Sequence, residues 1–267
     1  MSNTVKVLVI DDEPVIVESV VRLCSSEGLD VDSALDAQEA LKKIERNTYE
    51  LIITDIMMPE MDGFQFLDTI RRMNIQTPVI ITTGYSTVEN AVKSLSEGAI
   101  DFLPKPFTFE ELISCTQRGL KYGQILKSIL SKKMPGQFND EFVPCPVSYY
   151  RLGYNTWAYP DNDGSLKTGV TDLFLKTIGS VKQLHLFRTD EEILQGNMCA
   201  QIETDADLIH NILAPVSGRI MQRNEALISE PSLIEKDPFF EGWIYRVLPS
   251  HLDKELSQLM PCSSNQL

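Results

Sequence analysis

The sequence predicts two folds in one chain: an α/β doubly wound parallel sheet, followed by a mostly β sandwich or flattened barrel. Three observations predict this. In the first half, short apolar runs alternate with helical periodicity, the pattern of parallel strands covered on both faces. In the second half, helix signals are sparse and turn clusters such as Pro160-Asp-Asn-Asp-Gly164 and Pro215-Val-Ser-Gly218 separate short apolar segments. Between the halves the composition changes. Residues 1–125 carry net charge −9 and residues 141–267 net −7, whereas residues 126–140 carry +2 and end in the breaker cluster Met134-Pro-Gly-Gln-Phe-Asn-Asp140. The predicted organisation is a first domain over 1–125, a linker over 126–140 and a second domain over 141–267.

The elements follow in order. Residues 5–10 are apolar apart from Lys6, as expected of a strand buried on both faces. Pro14 opens a helix that Gly28 stops. Residues 36–46 have helical period, 51–54 read as a second buried strand, and 64–73 as a helix. A strand over 79–82, a helix over 87–97 ending at Gly98 and a short strand over 100–103 follow. From Phe109 the chain is helical again. Its apolar stripe Leu112, Cys115, Gly119, Tyr122, Leu126, Ile129 has 3,4,3,4,3 spacing. That stripe fits either a short dimerising coiled coil, giving a homodimer, or the core face of the last helix. In the second half, helices are expected near 172–178 and 251–259.

Composition narrows the function. Of the 267 residues 43% are hydrophobic, enough for a packed core. A net charge of −14 disfavours a polyanionic partner, so no DNA binding is expected. No apolar run is long enough to cross a bilayer, and Met1-Ser-Asn-Thr-Val-Lys6 lacks the pattern of a signal peptide. The expectation is a cytoplasmic protein without membrane association. Five cysteines, at 24, 115, 145, 199 and 262, are odd in number and contain no CxxC pair, so neither a zinc site nor a disulfide framework is suggested.

The reactive residues of the first half fall at strand ends. The first strand ends in Asp11-Asp12-Glu13, the next buried strand in Asp55, the third in Thr83-Gly84, and the fourth runs into Pro104-Lys105-Pro106. In a doubly wound sheet these positions share the carboxyl edge, where sites lie. Crowded carboxylates need a cation, and hard oxygen donors with few neighbours suit Mg²⁺. A carboxylate can act as a nucleophile and become an aspartyl phosphate. A hydroxyl such as Thr83 and an ammonium such as Lys105 can bind phosphoryl oxygens. Gly84 either keeps the site open to a bulky phosphodonor or is a turn glycine.

The motifs LVIDDEP, TDIMMPEMDG, PVIITTGYS and DFLPKPF occur in that order over residues 5–120, and this half resembles a response-regulator receiver domain of flavodoxin-like fold. The resemblance implies Asp55 as phosphoacceptor. It implies Asp11 and Asp12 as the acidic metal pair, with Asp55 and the backbone carbonyl of Met57 completing the Mg²⁺ ligands. It further implies Thr83 as switch hydroxyl, Phe102 as switch aromatic, Lys105 as the lysine of the phosphoryl site, and a sensor histidine kinase as partner.

In the second half, Leu213-Ala-Pro-Val-Ser-Gly218 and Asp237-Pro-Phe-Phe-Glu-Gly-Trp-Ile-Tyr245 are joined by Asn224-Glu-Ala-Leu227 at a fitting spacing. Thr156-Trp157, Gly169-Val-Thr-Asp172 and Ile178-Gly179 support them. Residues 147–260 resemble the glycine cleavage system H protein, a lipoyl-type barrel-sandwich domain. That family carries lipoate on a lysine shortly before the first motif. Here the segment reads Glu203-Thr-Asp-Ala-Asp-Leu-Ile-His-Asn211, the lysine position falls on Ala206 or Asp207, and no lysine occurs from 183 to 235. An amide link to lipoate needs a primary amine, so no lipoate is expected at the usual site. Lys176 and Lys182 read as solvated charges near a helix, Trp157, Trp243 and Cys199 as core, and His210 as a surface or packing residue. The acidic tip Glu203, Asp205, Asp207 fits either a solvated turn or a docking surface for a basic partner.

The expected function is a two-component response regulator. A histidine kinase phosphorylates Asp55 with Mg²⁺ present, and this switches a non-catalytic output domain that binds an as yet unknown protein. The chain is expected to be no enzyme beyond accepting the phosphoryl group and slowly losing it. The alternative is a receiver-controlled carrier or regulator of a glycine-cleavage-type or lipoate-linked complex. A transcription factor, which would need a basic helix-turn-helix, and a catalytic output, which would need a nucleophile–base pair or metal spacing after residue 140, both lack their signatures.

Overall fold

Three strands of the first half bury nearly every residue, because their Val, Ile and Leu runs have neighbours on both faces of the sheet. The computed structural model describes residues 6–131 and 141–263. The breaker cluster and the two lysines before it, residues 132–140 of the predicted linker, lie outside the described residues. The chain separates into two units, residues 1–86 with 97–128 and residues 87–96 with 129–267.

In order, the first ten elements are β1 (Lys6–Ile10), α1 (Pro14–Ser26), β2 (Asp30–Ala34), α2 (Ala37–Ile44), β3 (Leu51–Asp55), α3 (Gly63–Arg72), β4 (Val79–Thr83), α4 (Val88–Ser96), β5 (Asp101–Pro104) and α5 (Phe109–Ser131). The five strands form one sheet in the order β2-β1-β3-β4-β5, and every neighbouring pair is parallel. This is the doubly wound, flavodoxin-like arrangement expected from the alternation. Helix starts follow their caps. Pro14 opens α1, the Asp36 carboxylate accepts from the Glu39 N–H at 2.7 Å at the start of α2, and Asp62 and Gln65 form a reciprocal capping box on α3.

Two features differ from the sequence reading. The edge strand β2 was not among the predicted strands. Its sequence Asp-Val-Asp-Ser-Ala is poor in strand formers and only Ala34 is buried, so pairing with β1 makes it a strand rather than any apolar pattern. Helix α5 continues to Ser131, into the segment expected as linker. Its stripe residues Leu112, Cys115, Gly119 and Tyr122 are buried, and a Cβ on Gly119 would come within 2.6 Å of Leu51 and 3.0 Å of Ile100. Over that stretch the stripe is the helix's core face.

The second unit adds β6 (Tyr150–Leu152), β7 (Thr156–Pro160), β8 (Leu166–Val170), α6 (Asp172–Ile178), β9 (Val181–Leu186), β10 (Glu192–Ile193), β11 (Met198–Thr204), β12 (Ile209–Leu213), β13 (Gly218–Arg223), α7 (Ala226–Ser229), α8 (Leu233–Lys236), β14 (Tyr245–Pro249), α9 (Leu252–Leu256) and β15 (Met260–Pro261). They build an antiparallel sheet of seven strands, β10-β13-β14-β8-β7-β6-β15, and one of three, β12-β11-β9. Mostly β architecture is as the turn clusters predict. The single-turn helices α7 and α8 were not predicted, being too short to show a period. The core includes Leu152, Leu166, Ile202, Val216, Ile220 and Val247. Cys199 belongs to it, as expected, and His210 is buried. Trp157 is fully buried and its indole N–H donates to the Val170 and Pro238 carbonyls at 2.9 and 3.2 Å. Trp243, expected in the core, is only half-buried and packs on the cluster of Tyr149, Trp157 and Phe239.

The two motifs of this half have packing reasons. Ser217 donates its N–H to the buried Glu255 carboxylate at 2.6 Å, while its hydroxyl accepts from the Gln195 N–H at 2.9 Å. The Asn224 amide donates to the carbonyls of Glu241 and Trp243 at 2.7 and 2.8 Å, fixing the loop around Gly242. Among the described residues, no helix is long and apolar enough to cross a membrane.

Gly169 is the tightest test of this core. A Cβ there would lie 2.5 Å from the Trp157 ring, which is itself pinned by its two hydrogen bonds. Gly169→Ala is expected to destabilise the second unit by about 1–3 kcal/mol, as overpacking does. Gly84→Ala, where an added Cβ meets nothing within 4 Å, should leave stability unchanged. Calorimetric unfolding of both variants checks this.

Candidate functional site

The carboxyl ends of β1, β3, β4 and β5 come together because all four strands run parallel. Asp11 follows β1 directly, and Asp55 ends β3. Asp55 registers with Thr82 on β4, and Thr83 registers with Pro104 on β5, whose next residue Lys105 donates its backbone N–H to the Thr83 carbonyl at 2.8 Å. The Lys105–Pro106 peptide bond is cis.

The side chains meet at one point. Lys105 Nζ donates to Asp11 Oδ2 at 2.6 Å and lies 2.8 Å from Asp55 Oδ1. All three groups are almost wholly removed from solvent. The second Asp11 oxygen accepts the Glu13 N–H at 3.1 Å, and the second Asp55 oxygen accepts the Met57 N–H at 2.5 Å. Met57 thus meets Asp55 through its amide. Thr83 is buried and its hydroxyl accepts the Tyr85 N–H at 3.1 Å. Phe102 is buried on β5, and Asp12 is exposed. The geometry brings Asp11, Asp55 and Lys105 into direct contact. Thr83 is on the neighbouring strand end, and Phe102 lies three residues before Lys105.

The electrostatics follow from burial. Desolvation, with the Asp11 charge added, holds the Asp55 carboxyl above its usual range even though Lys105 opposes this. Burial works against the Lys105 ammonium, but the two carboxylates outweigh it and hold its pKa above the ordinary value. One ammonium between two buried carboxylates leaves net negative charge on a sheet edge.

The donor set bears on Mg²⁺. Among the described residues, no three His, Cys, Asp or Glu side chains are gathered into a metal cage. Mg²⁺ does not require one, since it keeps several waters and takes one or two carboxylates. Asp11, Asp12 and Asp55 offer only hard, anionic oxygens on one edge with an unbalanced charge, and this chemistry fits that ion. When bound, it would supply positive charge beside an incoming phosphoryl group.

One positioning residue was missed by sequence reasoning. The Gly63 N–H donates to the Ile56 carbonyl at 2.8 Å, and a Cβ on Gly63 would lie 2.3 Å from the Asp55 carbonyl oxygen. The start of α3 therefore rests against the backbone of Asp55. The Asp62-Gly63 pair after the Met-Met-Pro turn was the available signal.

In the second unit, Ala206 and Asp207 are exposed at the tip between β11 and β12. Lys182 is not a free charge near a helix. It sits on β9, which pairs with β11, and its ammonium is 2.7 Å from both Glu203 and Asp207. His185, three residues on, is 3.5 Å from Glu203. Strand pairing brings these groups together across some twenty residues of sequence, so linear reading did not find them.

Comparison with known proteins gives the following. Residues 7–117 match the family model of the response regulator receiver domain, and residues 148–266 match that of the glycine cleavage H-protein. The chain is 36% identical over 112 residues to the transcriptional regulatory protein TrcR of Mycobacterium tuberculosis, covering 42% of this chain and 44% of that protein. It is 39% identical over 125 residues to the transcriptional regulatory protein HprR of Escherichia coli, covering 47% and 56%. It is also similar to a response regulator receiver domain protein from Clostridium thermocellum, at 32% identity, 46% of this chain, 98% of that chain and a TM-score of 0.43. The chain thus spans about half the length of the curated relatives it matches. With both family models matched in succession, the chain joins a response regulator receiver domain to a glycine cleavage H-protein domain.

Proposed function

We propose that this protein is a two-component response regulator whose phosphoacceptor is Asp55 and whose second domain is a non-catalytic, protein-binding output. The observation that carries the reading is the buried contact of Lys105 with both Asp11 and Asp55. In the proposed reaction an Asp55 oxygen attacks the phosphorus of a phosphohistidine on a sensor kinase. The P–N bond breaks, and its electron pair leaves with the imidazole. Lys105 then holds a phosphoryl oxygen, and the Thr83 hydroxyl turns from the Tyr85 N–H to another. Phe102, on the strand before Lys105, follows that change as the switch aromatic. Asp11, Asp12 and Asp55 would hold Mg²⁺ together with the Met57 carbonyl, and the ion would supply positive charge beside the phosphoryl group. The domain limits in this reading are 1–125 and 141–267.

The output reading rests on the hairpin. Positions 206 and 207 offer a methyl and a carboxylate, and the ammonium nearest the tip, Lys182, is held protonated by the hydrogen bonds of Asp207 and Glu203. Neither a methyl nor a carboxylate can form the amide link to lipoate, and Lys182 is engaged in ion pairs with Glu203 and Asp207, so the domain works without lipoate. Lys182 ties Glu203 and Asp207 into one ion-paired turn, but it offsets only one carboxylate, and with Asp205 the tip keeps net negative charge.

Acetyl phosphate with Mg²⁺ should label the wild-type protein, and Asp55→Asn should lose the label because an amide is not a nucleophile. Intact-mass spectrometry reads both, and a label surviving on Asp55→Asn overturns the assignment. The reaction also has a predicted acid limb. Attack needs ionised Asp55, whose pKa is raised, so labelling should fall off at a higher pH than the ~3.9 of an ordinary aspartate. Removing the opposing ammonium in Lys105→Ala should move the limb further up, seen in normalised initial rates against pH; a limb that stays in place excludes the coupling. Finally, lipoate ligase with ATP and lipoate should leave the protein's mass unchanged, and a gain of one lipoyl mass would restore the carrier reading.

A further inference from the structure

Of the five cysteines, Cys24, Cys115 and Cys199 are buried, and burial raises each thiol, Cys24 to about 11 and Cys199 to about 12. The other two are half-buried and share one place. Cys145 precedes the turn in which the Tyr149 N–H donates to the Pro146 carbonyl at 2.9 Å. Cys262 follows β15, and its N–H donates to the Tyr149 carbonyl at 2.9 Å. Both pack on the cluster of Tyr149, Trp157 and Phe239, so the two thiols share one aromatic wall. Residues 117 positions apart in sequence therefore present paired thiols at the edge of the second unit, where its first and last strands, β6 and β15, meet.

We propose that Cys145 and Cys262 are a redox-active dithiol that a peroxide closes into a disulfide, fastening the start of the H-protein-like domain to its end. The two sulfurs have different roles. The neighbouring Cys145 thiol holds Cys262 below the usual thiol range, with the Arg151 charge helping and burial opposing. The same contact, with burial, pushes Cys145 up. Cys262 is therefore the more readily ionised sulfur and the one that attacks, and Cys145 is the resolving thiol. The Cys262 sulfur attacks one peroxide oxygen, the O–O bond breaks, and hydroxide leaves with the electron pair, giving a sulfenic acid. The Cys145 sulfur then attacks the Cys262 sulfur. The S–O bond breaks, and the departing hydroxide takes the Cys145 proton as water. Two thiols lose two electrons, and one hydrogen peroxide becomes two waters. Neither cysteine lies in a helix or strand, so the approach to an S–S bond falls on loop and turn.

The test uses the full chain, reduced and then exposed to equimolar hydrogen peroxide, alkylated with N-ethylmaleimide, digested and read by mass spectrometry. The expected product is a monomer in which the Cys145 and Cys262 peptides are joined with loss of two hydrogens, while Cys24, Cys115 and Cys199 carry the alkyl group. Dithiothreitol should reverse it. In Cys145→Ser the sulfenic acid should persist on Cys262 and be trapped by dimedone. In Cys262→Ser peroxide consumption should slow at least tenfold. Two alkylated, unjoined cysteines in the oxidised wild type overturn the proposal, as does a disulfide joining two chains. Because peptide mapping of the wild type needs no substitution, the answer does not depend on either variant folding.

Discussion

One ammonium shared by two buried carboxylates organises the receiver half. Lys105 can reach Asp11 and Asp55 only because β1, β3 and β5 are parallel and in register, so that their ends arrive on one edge. Removing either carboxylate leaves the lysine a partner, whereas removing the lysine leaves two buried anions facing each other, the costlier imbalance. The site is therefore held in shape and still short of positive charge, a resting state suited to accepting a cation and a phosphoryl group. Gly63 adds a steric condition, since the first residue of α3 can lie against the Asp55 carbonyl only if it has no side chain.

The second half depends on packing instead. Trp157 anchors it, with Gly169 flat against the indole and carbonyls from two distant segments on its N–H. The two motifs of the H-protein resemblance turn out to be structural. Ser217 and Asn224 spend their polar groups on loops and on the buried Glu255 and Gln195, not on a ligand. That explains how such a domain keeps its fold with no attachment lysine.

Legibility in the sequence followed burial. β1, β3 and β4 could be read because a strand covered on both faces must be apolar throughout. Strand β2 could not, since an edge strand draws its order from its neighbour. The stripe from Leu112 to Tyr122 was legible as a pattern, but only the fit of Gly119 against Leu51 and Ile100 decides what it faces. The strand-end set Asp11, Asp55, Thr83 and Lys105 was readable because topology alone puts such residues on one edge. The contacts of Lys182 with Glu203 and Asp207, and of Cys145 with Cys262, arise from antiparallel pairing between distant segments. No local spacing encodes them, and the spread of the cysteines even argued against a pair.

The tip between β11 and β12 has an evolutionary consequence. Asp207 has φ +56°, a left-handed conformation that aspartate tolerates better than lysine, and its carboxylate shares Lys182 with Glu203. A codon change to lysine there would forfeit the ion pair, set two ammonium groups side by side and leave a long side chain on an unfavourable backbone. Each cost disappears only if a second site changes as well, Lys182 for the charge and the turn itself for the backbone. At that position a carrier lysine lies several substitutions away, whereas at Ala206 neither the ion pair nor a left-handed backbone stands against one.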